Sequence, residues 1–386
     1  MSGTFEGYAR ADGRFGTRNH LLVLSVTGLT GPSGRRIAAS LAGAVYAGTP
    51  YGGGMVGEDR ATHRRALAGL AAHPNVGGVV VVGADEGAVD EVAAEATRVG
   101  TPVEPLVFDH VGHDALTLID RGVRAGAVLL KDLSRQRRRS VPLSGLTLGL
   151  ECGRSDPSSG LAANPLLGAV ADAVADASGI AIVGETVEWL GAEDRLAERA
   201  ASPALAESIR AAVVRRERLA IDAGVDLTGT NPSRTNIEGG LSTIEEKSLG
   251  AIAKAGTGPI AGLLAYAERP TAPGRWLMDA PAYAPESVTG FVAAGANLVL
   301  FTTGVGNSFG SRLAPTIKLT ANAATAERLG TQVDVSAAAL AAGREDLPEA
   351  ARRLLEEVRA VASGTLTFSE IFGDGEETVS RLGEAL

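Results

Sequence analysis

The run Val76-Gly77-Gly78-Val79-Val80-Val81-Val82 carries no polar side chain, so a strand formed here has to be buried on both faces. That pattern belongs to parallel sheets covered by helices on either side, because sheets with one wet face alternate apolar and polar residues. The rest of the first half fits the same plan. Short β-branched runs alternate with amphipathic stretches, which predicts strands at Leu21–Val26, Val76–Val82 and Val103–Phe108 and helices at Ser33–Leu41, Glu58–Ala72, Asp90–Arg98 and His113–Leu133. The basic run Arg135-Gln136-Arg137-Arg138-Arg139 and Ser140-Val141-Pro142 then close this unit.

A second unit starts with a predicted strand at Leu146–Leu150, which delivers Glu151 and Cys152 into the glycine- and serine-rich turn Gly153–Gly160. Helices are expected at Leu166–Ala177, across much of Asp194–Gly224, at Ser242–Ala255, Glu286–Ala294 and Glu345–Ser363. Strands are expected at Ile180–Val183, Trp276–Met278 and Asn297–Thr302. The segment Asn231–Gly240 reads as a polar loop. The predicted class is α/β, with two α/β domains of mostly parallel sheets flanked by helices, at 1–140 and 141–386.

Charge and composition exclude several roles. Lys and Arg total 36 against 45 Asp and Glu, a net charge of −9, whereas nucleic-acid binders carry a basic excess to neutralise phosphates. The short basic run reads as a solvated helix end or linker. One cysteine makes no internal disulfide, the amino terminus lacks the apolar stretch of a secretory signal, and no apolar run of about 18 residues spans a membrane. The expectation is a cytoplasmic protein without membrane or nucleic-acid partners.

Three junctions concentrate chemistry. Leu150-Glu151-Cys152-Gly153-Arg154-Ser155-Asp156 puts two carboxylates, a thiol and a cation on one turn after a strand, where α/β folds bind ligands. Asn231 to Gly240, followed by Ser242-Thr243-Ile244-Glu245-Glu246-Lys247, is a polar loop entering a helix whose free amides suit an anion. Ser242 and Glu245 read there as a capping box, and Lys247 is a base only if burial depresses its pKa. Phe301-Thr302-Thr303-Gly304-Val305-Gly306-Asn307 runs a strand into a glycine turn, without the spacing of a dinucleotide fingerprint.

Several segments, taken in order along nearly the whole chain, resemble the altronate and galactarate dehydratase family. They are Gly7-Tyr8-Ala9-Arg10, Gly13 to His20, His73-Pro74-Asn75-Val76, Glu151 to Asp156, Ala163-Asn164-Pro165, Gly184-Glu185-Thr186, Gly239 to Lys247 and Phe301-Thr302-Thr303-Gly304. Where the sugar-acid dehydratases carry three cysteine elements, this chain reads Tyr51-Gly52-Gly53-Gly54, Ala84-Asp85-Glu86 and Val335-Ser336-Ala337. It is more similar to the family's sulfolactate sulfo-lyase branch at Pro50-Tyr51-Gly52, Glu86-Gly87, Asn236 to Gly240 and Val333-Asp334-Val335. The resemblance implies a lyase performing β-elimination on a small 2-hydroxy acid, a divalent metal (Fe2+, with Mn2+ or Mg2+ as alternatives), and a separate small subunit in place of an amino-terminal domain. Homo-oligomers are expected on base rates.

Within that reading Glu151, Cys152, Ser155, Asp156 and Lys247 line the reacting centre, and Glu151, Asp156 and Glu185 are the metal ligands, with His20 as a further imidazole donor. Arg18, His20, Arg154, Asn164, Asn236, Gly240, Thr243, Thr303 and Asn307 hold substrate, the arginines by pairing with its oxyanions. The base stays open among Lys247, His20 and the carboxylates. Three functions follow from the sequence: a sulfolactate-type lyase, an altronate-type dehydratase, or a catalytically silent binding subunit.

Overall fold

The computed structural model describes residues 3–226 and 231–380 of the 386. Its first parallel sheet comprises His20–Ser25 (β3), Val45–Gly48 (β4), Val76–Gly83 (β5) and Val103–Val107 (β6), in the order β4-β3-β5-β6. Leu21, Val23, Val80 and Val82 face Gly31–Ala39 (α1) and Ala115–Leu133 (α4) through Ile37, Leu118, Leu129 and Leu133. Leu22, Leu24, Val79 and Val81 face the other way, onto Gly57–Ala71 (α2) and Glu86–Arg98 (α3). Both faces of β5 are therefore dry, as its unbroken apolar run requires. Each such side chain contributes roughly 1.5–3 kcal/mol on burial.

The second sheet is also parallel and has seven strands: Thr147–Cys152 (β8), Ile180–Val183 (β9), Ile260–Leu264 (β10), Gly274–Met278 (β11), Leu298–Thr302 (β12), Thr316–Thr320 (β13) and Val335–Ser336 (β14). Their order is β10-β11-β9-β8-β12-β13-β14. From β8 the chain builds outward to one side and then returns to place β12 on the other. The β8–β12 edge is thus the switch point of the sheet, and ligands in α/β folds bind beyond the strand ends at such a point. Asn164–Asp176 (α5) and Leu347–Ala362 cover one face through Leu166, Val170, Leu354 and Val358.

The two sheets share packing. Val299 and Phe301 of β12, Val288 and Val292 of Ala284–Ala293 (α10) and Leu67 and Leu70 of α2 belong to one buried cluster. The helices touch where Gly69 faces Ala293, since a Cβ on Gly69 would sit 2.2 Å from the Ala293 carbonyl oxygen. Polar side chains fix the join. Asn75 donates to the carbonyls of Asn297 and Leu313 at 3.0 and 2.8 Å, and His73 Nε2 lies 2.9 Å from that of Ala296.

A small antiparallel sheet pairs Thr4–Ala9 (β1) with Phe15–Gly16 (β2) and with Arg139–Pro142 (β7). The sequence predicts none of these strands, nor β4, β10, β13 and β14, and the 140/141 boundary falls inside β7. Asn231–Gly240 is not all loop, because Arg234–Glu238 forms a short helix capped by Ser233. The predicted turn Gly153–Gly160 ends early, with the backbone helical from Pro157. Arg138 is not a solvated linker residue either. Its guanidinium stacks on Tyr8 and donates to the carbonyls of Glu6, Thr17 and Ala362.

Candidate active site

β8 ends on Glu151 and Cys152, and both are buried, at 0% and 2% exposure. β9 ends one residue before Gly184-Glu185, where Glu185 adopts a left-handed backbone with φ 65°. A non-glycine residue held there costs free energy that the surrounding packing has to supply. The turn continues into a short 3-10 helix, Thr186–Trp189, which carries Glu188. From the other side come Lys247 on Ile244–Ile252 and Lys254 on the 3-10 turn Ala253–Ala255 that follows it.

These six side chains meet. Lys254 Nζ is 2.5 Å from Glu185 Oε2 and 2.9 Å from Cys152 Sγ. Lys247 Nζ is 2.6 Å from Glu188 Oε1 and also donates to Asn231 Oδ1. The Cys152 thiol lies 3.7 Å from Glu185 Oε2 and 3.6 Å from Glu188 Oε2. The hydroxyls of Ser155 and Ser248 and the Asn231 amide nitrogen are buried without a hydrogen-bond partner, and the buried Glu151 carboxyl faces only the Glu185 carboxyl and the Ser287 hydroxyl. Unpaired buried polar atoms each cost about 1–3 kcal/mol, so their accumulation marks a site that awaits a partner.

Electrostatics follows from the geometry. Burial, reinforced by the neighbouring charge of Glu185, pushes the Glu151 carboxyl well above the usual carboxylate range. Burial and Glu188 raise Glu185 despite Lys254. The Cys152 thiol is likewise pushed up by burial, then by Glu185. Burial alone would depress the lysines, yet Glu188 outweighs it at Lys247, and Cys152 and Glu185 outweigh it at Lys254, so both pKa values rise. Lys247 is therefore held as an ammonium and is not the depressed lysine that a base would require.

Cys152, Glu185 and Glu188 offer donor atoms within 4.8 Å of one another, among the described residues the one group of three or more His, Cys, Asp or Glu donors close enough to hold an ion. Deprotonated around an ion, the three carboxyls and the thiol would sum with the two ammoniums to 2 − 4 = −2. A divalent cation fits this set by charge, and the Glu151 oxygens add hard donors beside a soft one.

The other sequence-predicted residues fall into two groups. Ser155 lies three residues beyond Cys152, and Asn236 Nδ2 donates to its carbonyl at 2.8 Å. Thr243 caps the helix of Lys247 by accepting from the Glu246 amide, while the Glu246 carboxylate accepts from Ser242. The cap is thus Thr243 with Glu246, one residue beyond the Ser242 and Glu245 pairing expected. Asn164 accepts from Thr302 Oγ1 at 2.6 Å and donates to the Gly250 carbonyl. Thr303 and Asn307 hold their own turn by accepting from the Gly306 and Phe309 amides. Gly240 takes φ 107°, and Arg154 is an exposed left-handed residue, φ 55°, at the rim.

Asp156 is spoken for: Oδ1 accepts from Ser158 and the Ser159 amide, and Oδ2 accepts from Asn322 at 2.8 Å. It lies outside the group of three donors. Arg18 and His20 sit at the amino end of β3. Arg18 is bound bidentately by Glu370 and donates to the carbonyls of Thr17, Val361 and Thr365. Burial and the adjacent Arg18 charge lower His20 to about 4.

Lys254 and Glu188 were missed from sequence. Each is a lone charge in an apolar stretch, Leu249 to Ala255 and Val187 to Leu190, and that isolation was the available signal.

Comparison with known proteins places this geometry in context. Residues 143–385 match the family described as D-galactarate/altronate dehydratase, C-terminal, and residues 7–134 match D-galactarate dehydratase/altronate hydrolase, second domain. The chain is 35% identical to the (2R)-sulfolactate sulfo-lyase subunit beta of Chromohalobacter salexigens, across 99% of this chain and 98% of that one. It is 31% identical to the altronate dehydratase of Bacillus subtilis, over 95% of this chain and 75% of that protein. The altronate dehydratase of Escherichia coli is also 31% identical, over 94% and 74%.

Proposed function

The chain belongs to the D-galactarate/altronate dehydratase family, and we propose that it is a lyase performing β-elimination on a small 2-hydroxy acid, with (2R)-3-sulfolactate as the favoured substrate. The carrying observation is the buried cluster of Glu151, Cys152, Glu185, Glu188, Lys247 and Lys254 at the switch point of the sheet. A base removes the C2 proton, the C3–S bond breaks with its electron pair leaving on sulfite, and the resulting enol takes up a proton at C3 and gives up its hydroxyl proton to become pyruvate. A proton beside a carboxylate is weakly acidic, so charge accumulating on that carboxylate has to meet fixed positive charge. Lys247 and Lys254, held as ammoniums, supply it. Glu151, Glu185 and Glu188 are the groups able to carry protons between C2, C3 and the leaving group.

Cys152, Glu185 and Glu188, with Glu151 beside them, would hold a divalent cation; Fe2+ is favoured over Mn2+ or Mg2+ because a thiol belongs to the donor set. Bound there, the ion would add a Lewis acid next to the substrate carboxylate. The sulfo-lyase relative is named a beta subunit, which supports a separate small subunit as partner; self-association is expected as well. The single cysteine is reduced and buried, in keeping with a cytoplasmic site. Among the described residues no helix is long and apolar enough to cross a membrane.

A second reading, an altronate-type dehydratase, is favoured by the two dehydratase relatives, whose similarity extends over most of this chain. An anaerobic assay with Fe2+ and a candidate small subunit from the same genome separates the two. Sulfite and pyruvate from sulfolactate establish the first reading. A 2-keto-3-deoxy acid from altronate, without sulfite from sulfolactate, replaces it with the second, and silence on both leaves another hydroxy acid or a non-catalytic role.

A further inference from the structure

The first parallel sheet has its own switch point, between β3 and β5, and a cavity of about 80 Å³ opens beyond it. Val26, Met55, Leu67 and Val92 give it an apolar wall, Asp85 and Glu91 line it beside Arg60, His63 and Arg64, and none of its lining residues comes from the seven-stranded sheet. At about 10–15 Å³ per water position it has room for five to eight, the size of a three- or four-carbon acid.

Two polar groups on one face of α2, three residues apart, reach this cavity. His63 is 4% exposed, and its Nε2 is buried without a hydrogen-bond partner. Its other nitrogen, Nδ1, faces the Ser380 carbonyl at 3.5 Å and carries the proton there, which leaves Nε2 a bare acceptor. Burial lowers its pKa, so the ring stays neutral. Arg60 is exposed at the mouth and has no ion-pair or hydrogen-bond partner among the described residues, whereas the other arginine lining the cavity, Arg64, is paired with Glu91 at 3.0 Å. The cavity thus carries a free guanidinium and, one helical turn along, a buried acceptor that needs a donor.

We propose that this cavity is a second ligand site, separate from the carboxylate cluster, which binds a small hydroxy acid with its carboxylate on Arg60 and its hydroxyl donating to His63 Nε2. An acid lacking the hydroxyl leaves His63 unsatisfied, and an alcohol lacking the carboxylate leaves Arg60 unused. Selectivity against the first follows from the cost of an unpaired buried acceptor.

The test is calorimetric titration of the full chain with lactate, and with propionate as its analogue without the hydroxyl. Lactate should bind saturably with Kd on the order of millimolar, and propionate at least about tenfold more weakly. Arg60→Ala, on an exposed side chain, and Ala88→Leu, which fills the cavity, should each weaken lactate about tenfold or more while leaving lyase turnover as in the parent. Glu151→Gln, in the other sheet, should leave lactate binding intact. Equal binding of propionate and lactate, absence of saturable heat, or heat lost in Glu151→Gln yet kept in Arg60→Ala would each overturn the proposal. Turnover falling together with binding in both cavity variants would do so as well, by making the cavity part of the catalytic route.

Discussion

Lys254 places its ammonium 2.9 Å from the Sγ of Cys152, and the same nitrogen lies 2.5 Å from Glu185 Oε2, with all three residues no more than 2% exposed. A buried pair of this kind contributes little relative to an apolar replacement of both members, but removing one member strands the other. Lys254→Met should therefore lower stability by about 3–5 kcal/mol in urea unfolding. Lys254→Met combined with Glu185→Leu should recover much of that loss. A single variant as stable as the parent would show that Glu185 takes up a proton at little cost.

Asp156 accepts on both oxygens, from Ser158 and Ser159 on one and from Asn322 on the other. Asp156→Asn turns one acceptor into a donor facing the Asn322 amide, which predicts a loss of about 1–3 kcal/mol. Asn322 also caps Ala323–Arg328 through its oxygen, and an aspartate can do the same. The exchange Asp156→Asn with Asn322→Asp should hence restore most of the stability in a double-mutant cycle. It should leave the metal content of the purified protein unchanged, whereas a ligand role for Asp156 predicts a loss of metal in both.

Arg18 was expected to clamp substrate, and the structure gives its guanidinium to Glu370 and three carbonyls. Arg18→Met should cost several kcal/mol by stranding Glu370. At a temperature where the variant remains folded, KM should match the parent. A large rise in KM with unchanged stability would return Arg18 to the substrate.

What was legible in the sequence divides along physical lines. Val76–Val82 and Leu21–Val26 announce themselves because runs of seven and six residues with at most one hydroxyl suit strands dry on both faces. Thr316–Thr320 does not, since Lys318 reads as a surface residue while the fold buries it against Ser308 and Ser369. At the site, Glu151, Cys152 and Glu185 follow from their places at or just beyond strand ends. Glu188 sits three residues beyond Glu185 on the same turn, whereas Lys254 meets Cys152 only through the sheet order, across 102 positions of sequence. Asp156 misled because a carboxylate after a strand and the N-cap of a following helix look alike in one dimension, and the capping role prevailed.

His73 supplies a pH dependence. Its Nδ1 accepts from the Asn75 amide at 3.0 Å and its Nε2 faces the Ala296 carbonyl, so the buried ring is neutral, with burial lowering its pKa to about 3. An unfolded histidine titrates near 6.5. Below that pH the unfolded chain gains a proton that the folded chain refuses, so the stabilisation is complete above pH 6.5 and declines as pH falls toward 3. Between pH 6.5 and 5 the parent should lose about 2 kcal/mol more than His73→Gln, measured by denaturant unfolding at each pH. Parallel curves for the two proteins would place the ring in water.

Glu151 separates chemistry from architecture most cleanly. Its carboxyl is fully buried and pushed well above the usual range by burial and by the neighbouring Glu185, and it faces only the Glu185 carboxyl and the Ser287 hydroxyl. Burial and Glu185 both favour its neutral acid form, which glutamine copies in shape and charge. Glu151→Gln should consequently unfold within about 1 kcal/mol of the parent. If the carboxyl carries protons during elimination, turnover should fall by about 10²–10⁴. Glu188→Gln provides the contrast, because it removes the charge that faces Lys247 at 2.6 Å and should lower stability and activity together. Equal turnover in Glu151→Gln and the parent would assign Glu151 to shaping the cavity and move proton transfer to Glu185 and Glu188.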